Sequence, residues 1–108
     1  MRDDGDTLAE ISFVGEAIVW HGPAPHVFVR IPDEHVATLR DAARRASYGW
    51  GCIPVEAIVR EVAFTTSLFP KDGGYLLPLK AAVRRSADIA PDDVVAVTLT
   101  VRAPASQA

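Results

Sequence analysis

The chain has 108 residues, 49% of them apolar and 23% charged, with a formal net charge of −3. Those figures allow one modest core and exclude a second domain, a disordered chain and a fibrous one. Cys52 is the only cysteine, so an internal disulfide framework is excluded as well.

No apolar run reaches the roughly 20 residues that a membrane-spanning helix needs. The opening "MRDDGDT" lacks an apolar signal core, and with the single cysteine this points to a reducing cytoplasm and no membrane. The acidic balance argues against broad nucleic-acid binding, because phosphate neutralisation dominates that affinity. Residues 1–7 and 103–108 are polar or small and without periodicity; they are expected to be disordered tails around one domain spanning 8–102.

In chain order, "AEISFVGEAIVWHG" predicts a long first strand. Ile11 and Phe13 alternate with polar neighbours, then Ile18 and Trp20 follow on the other parity, and Gly15 sits at the phase change as a bulge or bend would require. "GPAP" is a rigid connector, and "HVFVRI" a second strand rich in β-branched and aromatic residues. Pro32 ends it. "DEHVATLRDAARRA" then carries Val36, Leu39, Ala43 and Ala46 at helical spacing, with acids in the first turn and arginines in the last.

"GWGCIPVEAIV" predicts a strand in which Pro54 implies an edge or bulge, and Arg60-Glu61 a tight turn. "VAFTTSLF" alternates Val62, Phe64, Thr66 and Leu68 against Ala63, Thr65, Ser67 and Phe69. Asp72-Gly73 is a hairpin signal because glycine accepts positive φ. "YLLPL" returns as a strand, with Pro78 placed to start a short helix over "LKAAVRRSA". After the turn "APDD", Val95, Val97, Leu99 and Val101 line one face of a last strand.

Strand, proline and helix occur twice, at "VRIPDEHVATLR" and "YLLPLKAAVRRS". Two such halves suit a small, mainly β barrel with two short helices and a pseudo-twofold internal repeat, which also hides strand edges. "HGPAPHVFVRIP", "GWGCIPVEAIV" and "FTTSLFPKDGGYLLPLKAAVRR" together resemble the domain-of-unknown-function family numbered 1905, over roughly Phe13 to Val101. The resemblance implies a double-split β-barrel, the fold of the swapped-hairpin AbrB-like transcription-factor and antitoxin group. "YLLPLKAAVRRSADIAPDDVVAVTL" is similar to that group's last segment, but has Asp92-Asp93 where the pattern has Gly-Asp. Aspartate tolerates left-handed backbone less well than glycine, so a different loop shape is expected there. The family carries no established activity, so the resemblance implies architecture without mechanism.

Candidate sites stand beside plainer readings of the same residues. Lys71, Lys80 and Arg84 gather around the glycine turn and the short helix, as an anion site would require, or as solvated surface charge. Trp20, Trp50, Phe69 and Tyr75 suggest an aromatic wall at a barrel mouth, or plugs that close the barrel. Thr66 and Ser67 offer hydroxyls, and are also ordinary strand formers. Cys52 lies in an apolar setting that favours an inert thiol, and His21, His26 and His35 lack metal-ligand spacing, so neither metal nor cofactor is expected.

Three functions follow from these residues. The first is a monomeric, non-catalytic binding module for a small anionic or aromatic ligand, or a protein partner, at the face of Lys71, Tyr75 and Lys80. The second, implied by the AbrB-like resemblance, is a DNA-binding regulator. The expectation that one chain holds both half-barrels weakens it, since that group pairs half-barrels from two chains. The third is a small enzyme using Cys52 or Thr66/Ser67 beside a lysine.

Overall fold

The computed structural model describes residues 7–20, 26–46 and 51–103. Its elements in chain order are β1 (Thr7–Trp20), β2 (His26–Arg30), a 3-10 turn (Asp33–His35) running into α1 (Val36–Ala46), β3 (Ile53–Val59), β4 (Val62–Lys71), β5 (Gly74–Pro78), α2 (Ala81–Ala87) and β6 (Val94–Arg102). The strands close into a barrel in the order β1-β2-β5-β4-β3-β6, every neighbouring pair antiparallel.

The internal repeat is written in that order. Replacing β1, β2 and β3 by β4, β5 and β6, and the reverse, returns the same ring of neighbours. The helices obey the exchange: α1 follows β2 and packs on β1, and α2 follows β5 and packs on β4. One chain thus supplies both halves of the double-split barrel: β1 pairs with β6 through Glu16 and with β2 from Ala17, and β4 pairs with β3 through Leu68 and with β5 from Phe69.

Strict alternation fills the interior. Val95, Val97, Leu99 and Val101 of β6 and Ile53, Val55, Ala57 and Val59 of β3 are all buried, while the even-numbered residues between them face out. Each fully buried leucine or isoleucine, such as Leu99 or Ile53, contributes about 2 kcal/mol over its exposed state. Val36, Leu39 and Ala42 of α1 join the same core, and Ala46 at the helix end is buried outside it. Pro54 needs no bulge: the β3–β6 ladder starts only at Glu56, so on that side Pro54 has no β6 partner to miss a donor.

Both tight hairpins form as expected. Arg60 and Glu61 (φ 48° and 68°) join β3 to β4, and Asp72 and Gly73 (φ 52° and 81°) join β4 to β5. Two left-handed residues in a row match the twist of the flanking strands.

Four sequence expectations are corrected. Gly15 is neither a bulge nor a phase change: the pairing of β1 with β6 runs unbroken through it, and the register shift lies between Thr7 and Ala9. Gly15 instead sits where β1 passes from β6, paired through Glu16, to β2, paired from Ala17. Pro78 does not begin the helix. It pairs with Phe28 as the last residue of β5, and the Leu79 amide donates to the Val27 carbonyl at 2.9 Å, so the chain turns helical only after Lys80. Asp92 takes the left-handed conformation expected of glycine (φ 74°), held by its amide donating to the Ala17 carbonyl at 2.7 Å. Thr7 belongs to β1 rather than to a tail, while 1–6, the "GPAP" connector and 104–108 lie outside the described residues.

Candidate functional site

Because β1 keeps one parity, its apolar tail residues Ile18 and Trp20 point away from the core, 46% and 56% exposed. Buried Val27 and Val29 likewise turn the intervening Phe28 outward, and the parity of β4 turns Phe69 and Lys71 outward. Four strands therefore carry apolar groups on the outside of one half of the barrel, where water would ordinarily be met by polar residues.

These side chains enclose a cleft of about 410 Å³, within the range of small-molecule sites. β1 and β4, which the topology makes equivalent, supply its walls: Ile18 and Trp20 on one side, Phe69 and Lys71 on the other. Phe28 of β2 and Leu76 of β5 are its floor. Phe28 is only 6% exposed despite its outward direction, since the Phe69 ring meets it edge-on at 5.2 Å and 75°, and the Trp20 ring lies 6.3 Å away. His26, paired with Trp20 across the strands, stacks beside the indole with ring centroids 6.3 Å apart and planes inclined by 28°.

The rim is charged. Lys71 Nζ stands 5.9 Å from the centroid of the Trp20 ring, a cation–π contact across the cleft mouth. Arg30 lines the cleft opposite Leu76; its Nη1 donates to the Lys71 carbonyl at 3.4 Å, and its Nη2 lies 3.9 Å from Asp33 Oδ1. Both contacts are long, and Asp33 is 91% exposed, so the pair adds little stability and leaves guanidinium donors free of close partners in it. Arg40 Nη2 donates to the Gly73 carbonyl at 3.3 Å, so two arginines hold the tip of the β4–β5 hairpin that carries Lys71. Among the described residues Asp72 is the one carboxylate on the lining.

The expected site residues divide between this cleft and other places. Trp20, Lys71 and Phe69 meet here. Tyr75 does not join them: at 6% exposure it belongs to the barrel core, because its parity on β5 is that of Leu77. Lys80 and Arg84 line a separate recess of about 220 Å³ with His26, and Arg84 Nε is committed to the Leu79 carbonyl at 3.0 Å. The single face of Lys71, Tyr75 and Lys80 is therefore replaced by two recesses. Thr66 lines a third, with Pro54, Glu56 and Arg102, and Ser67 faces out opposite Pro54. Cys52 is half-buried, and Trp50 lies outside the described residues.

Sequence reasoning missed most of the cleft lining, Phe28, Arg30 and Leu76 above all, with Ile18 and Asp72 beside them. A signal existed: "HVFVR" is apolar on both parities, which in an antiparallel strand means that its outer face is covered too.

Comparison with curated proteins gives no match. The model of a family described as "domain of unknown function (DUF1905)" matches residues 13–99, from the middle of β1 through most of β6. The match spans both halves of the barrel and every residue of the cleft, and the chain belongs to the DUF1905 family.

Proposed function

We propose that this domain is a non-catalytic binding module that takes a small aromatic ligand in the cleft between Trp20 and Phe69. The observation that carries the reading is an outward-facing apolar recess of about 410 Å³, walled by two aromatic rings and floored by a third. Exposing a large indole to water has an energetic cost, and a flat ligand would remove it while stacking on the ring. His26 lies beside the Trp20 ring, which restricts the indole on one side before a ligand binds. Closure of the barrel within one chain supports a monomer as the working unit, for which sedimentation at the single-chain mass is expected and a dimer would count against it.

The test is a saturation-transfer NMR screen of the intact chain against aromatic acids, amides and alcohols of one or two rings. At least one class is expected to receive saturation, and Trp20→Ala to abolish it while leaving the amide spectrum folded. A panel in which no compound responds would overturn the reading.

A further inference from the structure

Resting on that reading, we propose that the ligand is a monoanion, a small aromatic carboxylate whose ring stacks on Trp20 and whose charge is held by Lys71 and Arg30. Among the described residues the cleft lining carries two cations, Lys71 and Arg30, against one carboxylate, Asp72; Asp33, 3.9 Å from Arg30 and 91% exposed, stands off the lining in solvent. The lining itself thus carries an excess of one positive charge, in a chain whose net charge is −3. The protein as a whole repels anions weakly, so the excess is a property of the cleft.

The position of Lys71 adds discrimination to that charge. Its ammonium stands over the Trp20 ring, on the surface that a flat ligand would use. A neutral aromatic must displace the cation and forfeit the cation–π contact. A carboxylate ligand offers the displaced ammonium a better partner, so the same movement is favourable for an anion and unfavourable for a neutral ring.

Arg30 supplies the second contact. Its guanidinium is planar and permanently charged, and its two recorded contacts at 3.4 and 3.9 Å are long for a charge-assisted hydrogen bond. It lines the recess beside Leu76 and Phe69, where a carboxylate attached to a ring against Trp20 would be in a partly desolvated setting. The cleft volume of about 410 Å³ fits a free one- or two-ring acid rather than a folded partner.

The experiment is isothermal titration of the full chain with naphthalene-2-carboxylate and with its neutral isostere naphthalene-2-carboxamide. The carboxylate is expected to bind about tenfold more tightly, with the preference shrinking as salt rises. Lys71→Met is expected to weaken the carboxylate and leave the amide equal or tighter; the exposed position of Lys71 makes misfolding no explanation. Arg30→Gln should weaken the carboxylate alone. Equal affinity for the two compounds in the native chain would overturn the charge assignment and leave the aromatic site standing. Binding of neither would overturn both, and tighter binding of a peptide ending in a free phenylalanine carboxylate would replace the small-molecule ligand by a chain terminus.

Discussion

The guanidinium of Arg30 occupies the space that a side chain on Gly74 would need: a Cβ built there lies 2.8 Å from Nη2 and 3.3 Å from Cζ. No positive φ requires glycine at this position, so the close approach alone accounts for it. The hairpin that carries Lys71 is thus moulded around the arginine that shares the cleft with it.

Gly74→Ala is expected to push Arg30 off the hairpin with little loss of stability, since the far end of a flexible side chain can move. Carboxylate affinity should fall several-fold, while the neutral amide binds as before. Titration of the variant with both compounds checks it, and an unchanged carboxylate affinity would remove Arg30 from the site.

Asp72 opposes an anion at the rim and holds φ 52° in the hairpin turn. Asparagine accepts that backbone about as well, so Asp72→Asn separates charge from turn geometry. The variant should melt with the native protein and bind the carboxylate about threefold more tightly, the scale of one partly screened charge several ångströms away. Weaker binding would mean that Asp72 orders the site instead of opposing its ligand.

Gly15 is required by the neighbouring strand. A Cβ there would stand 2.6 Å from Val29 Cγ1, a fully buried side chain that cannot swing aside. Gly15→Ala should cost about 1–3 kcal/mol in urea unfolding, as overpacked cores do. Adding Val29→Ala should recover part of that loss, a coupling that two independent sites would not give.

Much of this fold was legible in the chain, for identifiable reasons. The alternation in β6 and the Asp72-Gly73 turn are local signals, and the exchange of halves showed in the two proline-helix segments. The cleft was less legible, because Phe28 reads as core when only hydrophobicity is considered and Trp20 reads equally as wall or as plug. Whether an apolar residue faces in or out depends on parity carried along the strand, and the parity assigned to β1 failed at Gly15. Tyr75 went the other way: of the two readings offered for it, cleft wall or barrel plug, the register of β5 with β2 and β4 turns it inward to the core.

The β3–β4 turn retains removable strain. Glu61 holds φ 68° with an exposed side chain, a conformation that costs a non-glycine residue about 1–2 kcal/mol. Arg60 in the same turn reaches across to α2, its Nη1 donating to the Asp88 carbonyl at 2.6 Å, and should be kept. Glu61→Gly is expected to stabilise the protein by about 0.5–1 kcal/mol, after allowing for the greater unfolded-state freedom of glycine. Denaturant unfolding measures it, and a loss of stability would show that the turn depends on the glutamate side chain.

The most direct measurement is an amide-correlation NMR titration of the isotopically labelled chain with naphthalene-2-carboxylate. The account predicts shifts concentrated on Ile18–Trp20, Phe28–Arg30, Phe69–Asp72 and Leu76, together with the Trp20 indole signal. Shifts centred on Thr66, Glu56 and Arg102, or on Lys80 and Arg84, or no saturable shifts at all, would contradict it.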